Sequence, residues 1–510
     1  MRTKKIALNM ISDILPYIII GIIGLVKVDV LIKYIGDVGN GYYQVINQII
    51  TYVFLAQLGF SDAVIYSLYK PFADKNKGDI NKIYTGSRKI FKIIGLIILG
   101  IILLVSAGLY LFYRFEDGYR NSCIICFMVI SISYLISYFG KTQTYSAILS
   151  AAQEKYIYNL VFNIMKIICD ALIVFVVIKY RSLEVVALVI FIVKLIEEIV
   201  MRIVVKRKYK WLKEVADANT SMVKMVKDLA WIQLGYLALN NIDAIILVAF
   251  ISPIAVSIYT SYNFILRYLN EISSRVERGA VYSFGNVFAK NENNKAEKLF
   301  KEFLALFIII GFTMCITFTL GIRSFVNIWI NKPNYIISYL SIIFFSVTLF
   351  LNIIYYPLLA LVNAKGLFKD NKNHVFICAT INVILSILLV KPFGLNGLLF
   401  STSLAFFINI FLKMNVVKNK IIKDIDIIKL TRDYLFLIGL FIIITLIIKP
   451  IENYILSLNL SILSCILSLG IIFIIVTIIT MTIMYFTNQS TKNLFKRGKN
   501  LLKNFKKTSN

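Results

Sequence analysis

Residues Ile93–Leu111 read IIGLIILGIILLVSAGLYL, a run without a single Asp, Glu, Lys or Arg. Wound as a helix at about 1.5 Å per residue, such a run matches the roughly 30 Å hydrocarbon core of a bilayer. Leu435–Ile448, LFLIGLFIIITLII, repeats the character near the other end of the chain. A soluble chain of 510 residues would be expected to divide into three or four domains, but 59% apolar residues and a mean hydropathy of +0.79 exclude that class.

Working outward from these runs, apolar segments long enough to span fall near 6–33, 41–69, 93–113, 121–140, 156–178, 183–205, 229–250, 254–288, 302–322, 335–361, 374–390, 395–412, 433–448 and 457–486. The expected class is an all-α polytopic membrane protein with about 14 transmembrane helices. Ile6–Ile32 is too long for the core of a cleaved signal and carries Asp13 and Lys27, so it is expected to stay as the first span.

The formal net charge of +28 would suggest a nucleic-acid partner in a soluble protein. Here the bases gather between spans. Arg2, Lys4 and Lys5, the 70–92, 206–227 and 413–432 loops and the 487–510 tail lie on one side. By the assigned spans that side holds roughly 40 Lys and Arg against roughly 9 on the other. The basic side is therefore expected to be cytoplasmic, with both termini there and no nucleic acid bound. In the tail, Leu494, Phe495, Leu501, Leu502 and Phe505 alternate with bases, as in an amphipathic helix lying on a membrane surface.

Catalytic signals are weak. The outer loops, such as 36–40, 251–253 and 391–394, are short, and the chain has one histidine, His374, at a span start. Cys123 and Cys126 form a C-x-x-C without a second pair inside an apolar span, where packing is the simpler role. No catalytic residue, metal ligand or organic cofactor is expected, and an enzyme such as a membrane glycosyltransferase or polymerase is the less favoured alternative.

The two halves of the chain resemble each other. Val28-Asp29 followed by Tyr42-Tyr43 matches Ile242-Asp243 followed by Tyr259, and the loop from Ala73 to Asp79 matches Ala289 to Lys295. A looser match pairs 147–155 with 359–365. The first two matches share an offset of roughly 215 residues, which implies parallel repeats. The expected organisation is an N-terminal six-helix lobe (1–205), a basic linker (206–228), a C-terminal six-helix lobe (229–415), helices 13–14 (416–490) and a basic tail (491–510).

Ionisable groups in spans cost roughly 2.5–3.5 kcal/mol each at mid-bilayer and so mark interiors and sites. Asn263, Arg267, Glu271, Arg275 and Arg278 recur at helical spacing on span eight. Asn9, Asp13, Pro16, Gly24 and Lys27 do so on span one. Gln233, Tyr236, Asn240 and Asp243 form a stripe on span seven, and Gln44, Gln48, Thr51 and Asp62 lie on span two. These stripes predict a polar central cavity. Lys27, Arg267, Arg275, Arg278, Asn9, Asn240 and Gln48 are its candidate substrate contacts, and Asp13, Asp243 and Glu271 are candidates for coupling H+ or Na+. Glu271 neutralised by its helical neighbours Arg267 and Arg275 is the plain structural alternative. The sets Lys166/Asp170 and Lys194/Glu197/Glu198 are expected to neutralise one another on their own helices.

Two parallel six-span halves with polar leading spans and a terminal helix pair resemble the multidrug/oligosaccharidyl-lipid/polysaccharide exporter (MOP) superfamily. The residues that carry the likeness are Leu31–Gly36 leading to Gly41-Tyr42, Leu58–Ala63, and Gly394–Thr402. Within the superfamily the chain looks most like the polysaccharide transporter branch, the O-antigen-type flippases. The resemblance implies a MATE-like fold and a substrate in which an oligosaccharide is linked through pyrophosphate to undecaprenol. It also implies a bacterial cytoplasmic-membrane location, alternating access of two lobes around a cationic cavity, and work beside polysaccharide polymerase and chain-length proteins. In related lipid II flippases, cations on spans one and eight meet the headgroup, and Lys27 and Arg267 lie in comparable places; the cations those relatives carry on span two are absent here. A cation-coupled multidrug exporter of the same superfamily is the alternative. It is less favoured because span eight sets Arg267, Arg275 and Arg278 against Glu271 and Glu277.

Overall fold

A computed structural model describes residues 2–54, 59–223, 242–289, 293–422, 426–458 and 460–497. Within these, the side chains of 2–15, 282, 286, 289, 293–294 and 368–372 lie outside the described set. The chain is an all-α polytopic membrane protein. Its helices are α1 (Arg2–Tyr34), α2 (Asp37–Val53), α3 (Phe60–Ala73), α4 (Lys77–Phe112), α5 (Tyr119–Phe139), α6 (Thr142–Ala151), α7 (Lys155–Tyr180), α8 (Leu183–Lys208), α9 (Asp243–Phe250), α10 (Pro253–Ala289), α11 (Asn293–Ile330), α12 (Tyr339–Ala364), α13 (Phe368–Lys420), α14 (Ile427–Ile447), α15 (Lys449–Ser457) and α16 (Ile462–Thr487).

Eight helices among the described residues are long and apolar enough to cross a membrane, α4 carrying the Ile93–Leu111 run. α1, α8 and α10, which the sequence also marks as spans, carry charged and polar residues along their length, the pattern of an interior-facing stripe. The second span is not one helix. It ends at Val53 and resumes at Phe60 behind Gly59, whose φ of 76° belongs to the left-handed region that glycine enters without a Cβ clash. The eleventh and twelfth spans meet at Gly394 in α13, with φ 56° and ψ −136°, three residues after Lys391 and two after Pro392. Immediately beyond, a Cβ on Gly397 would lie 2.2 Å from the Leu389 carbonyl oxygen. Gly397→Ala is therefore expected to destabilise the protein by about 1–3 kcal/mol through forced backbone displacement, read as a lower melting temperature in detergent.

The chain forms two compact units, Met1–Leu237 with Leu247–Ser257, and Ala238–Ile246 with Ile258–Asn510. In the first, an edge-to-face pair, Phe60 and Phe91, with centroids 4.8 Å apart, and stacked Tyr84 and Tyr145 anchor the core. α6 is too short to be visible as a span. Its first turn is held by Glu198 of α8, whose carboxylate accepts the Lys141 N–H at 2.7 Å and the Thr142 N–H at 3.1 Å. An anion at a helix N-terminus satisfies unpaired donors and the helix dipole together. Lys194 instead pairs with Glu197 at 2.7 Å.

In the second unit, Phe350 stacks on Phe441 at 4.4 Å, joining α12 to α14. Arg323 of α11 reaches the fully buried Glu452 of α15 at 3.2 Å. The six cysteines are buried free thiols, consistent with a packing role.

Candidate functional site

α10 is on the order of 55 Å long at 1.5 Å per residue, longer than a bilayer core, and it presents Tyr259, Asn263, Arg267 and Asn270 along one face. These side chains line a cavity of about 170 Å³ in the second unit. Asp243 opens α9 on one side. Phe345, Thr348 and Asn352 of α12 and Leu399, Thr402 and Phe406 of α13 complete the wall. The space holds a few waters or a partly hydrated ion, since liquid water takes roughly 30 Å³ per molecule.

Asp243 is 4% exposed. The Tyr259 hydroxyl donates to its Oδ2 at 2.7 Å, while Oδ1 has no hydrogen-bond partner among the described residues. A buried carboxylate oxygen left unpaired is costly, and it fits a place where a cation or proton comes and goes. Apart from the Arg267 guanidinium, the neighbouring groups are neutral and oxygen-rich. Thr402 and Ser386 donate to the buried Asn382 Oδ1 at 3.3 and 3.2 Å, and Thr348 and Ser403 share a hydrogen bond of 2.7 Å. Asn270 Oδ1 accepts from Tyr356 at 2.8 Å. Arg267, exposed on the same lining, supplies the cation.

Of the residues predicted from sequence, Asp243 and Arg267 come together here, with Asn263 beside them. Arg275 and Arg278 do not join the lining. Both turn to Glu271 Oε1, at 3.6 and 3.1 Å, and Arg278 also donates to Ser274 at 3.3 Å. Glu271 Oε1 thus meets both Arg275 and Arg278, while Arg267 lines the cavity. In the first unit, Lys27 donates to Asp170 Oδ1 at 2.7 Å, an oxygen it shares with Lys166 at 3.0 Å. Gln48 is half-buried on α2. Asn240 and the side chains of Asn9 and Asp13 lie outside the described residues. Sequence reasoning missed the α12 and α13 walls, whose Thr348, Asn352 and Thr402 are neutral residues inside apolar runs; their only signal is a polar atom at helical spacing.

No family model matches the chain, and no curated protein matches it in sequence. Solved structures do. The lipid II flippase MurJ in an inward closed conformation superposes with a TM-score of 0.69 at 16% identity, covering 94% of this chain and 99% of that one. The chain has the MATE-like fold. An inward-facing multidrug resistance MATE family transporter of the MOP superfamily gives a TM-score of 0.65 at 10% identity, over 82% of this chain and 98% of its own. A MOP superfamily transporter from Pyrococcus furiosus, described as having a binding pocket of reversed polarity, gives 0.58 at 10% identity over 82% and 96%. Within the MATE-like fold of this chain, the cavity described above carries both a guanidinium and a carboxylate.

Proposed function

We propose that this protein is a flippase that moves oligosaccharide repeat units, linked through pyrophosphate to undecaprenol, across the bacterial cytoplasmic membrane for surface polysaccharide synthesis. The observation that carries this reading is Arg267 on the wall of a polar cavity within a membrane-spanning unit of MATE-like fold. A guanidinium at such a place can hold a phosphoryl oxygen by charge-assisted, forked hydrogen bonds that a drug cation would not accept. The chemistry is transport by alternating access with no bond made or broken, both termini in the cytoplasm, and the polymer-building proteins downstream. Asp243 is the coupling group: an H+ or Na+ on its unpaired oxygen biases one conformational state over the other.

Deletion of the protein is expected to leave lipid-linked repeat units on the inner leaflet, protected from a membrane-impermeant glycosidase or lectin in intact spheroplasts. Units found on the outer leaflet would refute the flippase reading and revive a polymerase. A multidrug exporter would instead show its loss as increased sensitivity to cationic drugs with surface polymer intact.

A further inference from the structure

Residues 209–223 leave α8 and lie along the first unit as a strap. Asn81 donates to the Trp211 carbonyl at 3.4 Å and accepts the Lys213 N–H at 3.1 Å. The Val215 N–H donates to Thr85 Oγ1 at 3.0 Å, and the Asn219 N–H to the Lys82 carbonyl at 3.1 Å. Gly86 permits this approach, because a Cβ there would stand 1.9 Å from the Asn219 carbonyl oxygen. At the strap's start, the Tyr209 hydroxyl donates to Glu154 at 2.7 Å and the Lys77 ammonium sits 5.7 Å from the Trp211 ring centroid.

These bonds direct the strap's backbone onto α4, and a further set of charges gathers at it. The Arg88 side chain is 9% exposed, with Nε 3.2 Å from Glu214 Oε1, and Lys141 Nζ stands 3.5 Å from the same oxygen. Arg88 Nη1 is buried and has no hydrogen-bond partner among the described residues. The carboxylates nearby are engaged elsewhere: Asp217 pairs with Lys82 at 2.6 Å, and Glu198 takes Arg202 at 3.5 Å along with the two α6 N–H groups. Two cations therefore converge on one carboxylate oxygen, leaving an excess positive charge and an idle buried donor. A planar guanidinium fork with an ammonium beside it matches the several oxygens of a phosphate group better than it matches a single carboxylate oxygen. Glu214, half-exposed on the strap, stands where such an anion would bind.

We propose that Arg88 and Lys141 form a binding site for a phosphate-class anion, with Glu214 as its built-in competitor, so that anion binding displaces the carboxylate and lifts residues 209–223. The ligand is a phosphate mono- or diester, from a lipid headgroup or from solution. The site is separate from the cavity of the second unit and does not depend on what the protein transports.

The strap can be watched with a thiol probe on Ala218→Cys in the full-length protein. Ala218 is half-buried in the seated strap, and the six native cysteines are buried. Gly86→Ala must raise the labelling rate without any anion, which verifies that the probe reads the strap. The labelling rate of the otherwise unaltered protein is expected to rise in phosphatidylcholine vesicles on addition of phosphatidylglycerol, in detergent on addition of inorganic phosphate, or in both. A vesicle-only response assigns the lipid headgroup, and a detergent response the soluble anion. Glu214→Gln, at an exposed position that tolerates the change, is expected to lower the half-saturating anion concentration about tenfold, the effect of removing one charge-assisted competitor. Lys141→Gln, and Arg88→Lys as a conservative second variant, are expected to raise it by a similar factor. Absence of any anion response, an unchanged midpoint in Glu214→Gln, or a full response in Lys141→Gln would overturn the proposal.

Discussion

Asp243→Asn is expected to abolish ion-driven export of lipid-linked units while leaving the protein folded. Asparagine has the same shape, and its carbonyl oxygen can still accept the Tyr259 hydroxyl that now lies 2.7 Å from Oδ2. What it loses is the negative charge, and with it the ability to take a cation or proton on the oxygen that has no partner among the described residues. In a site 4% exposed, an ionic contact is little screened by water. Its loss is expected to weaken ion binding by about 3 kcal/mol, roughly a hundredfold.

The measurement is complementation of a deletion strain for surface polymer, with purified protein checked for a wild-type melting temperature. Coupling and passage separate further in reconstituted vesicles: exchange of substrate between leaflets should persist in Asp243→Asn, while accumulation driven by an ion gradient should not. A variant that complements at the wild-type level would remove Asp243 from the coupling role. Replacing Na+ by choline at constant pH, and then collapsing the pH gradient at constant Na+, tells which ion it holds.

The membrane fold was legible because lipid imposes a composition on whole segments, as in Ile93–Leu111, and no later contact can override it. Half of the site was legible for the same reason in reverse. Arg267 and Asp243 are conspicuous where charge is expensive, and Asn263 falls on the Arg267 face by helical spacing. The other half was not. Phe345, Thr348, Asn352 and Thr402 enter the wall through the packing of α12 and α13 on α10, and a neutral hydroxyl or amide in an apolar run looks the same whether it faces a cavity or bonds its own helix. Long-range charge pairing was hidden too. Lys166 and Asp170 form a local pair readable from spacing, but Lys27 joins them from 143 residues away, and Glu198 caps α6 besides meeting Arg202 on its own helix. The chain statistics of one helix cannot report the partner supplied by another.

That hidden pairing makes Asp170→Asn the variant with the largest expected effect on stability. Asp170 is 2% exposed, and one of its oxygens receives both Lys27 and Lys166; Lys27 is 14% exposed and Lys166 is 40% exposed. With the carboxylate gone, Lys166 can swing to a more polar level, as long lysine side chains do. Lys27, part-buried between α1 and α7, is left as an unpaired cation. Breaking a buried pair in this way is expected to cost about 3–5 kcal/mol, seen as loss of the monodisperse peak after mild heating in detergent. Removing both members should not, since an apolar pair of similar volume in a buried site is commonly neutral or stabilising. The double variant Lys27→Met/Asp170→Leu is therefore expected to recover near-wild-type thermal stability, and its transport then decides what Lys27 does. If Lys27 serves the substrate's pyrophosphate as well as Asp170, the double variant folds and fails to export. If it exports normally, Lys27 is a packing cation, and the headgroup contact rests on Arg267.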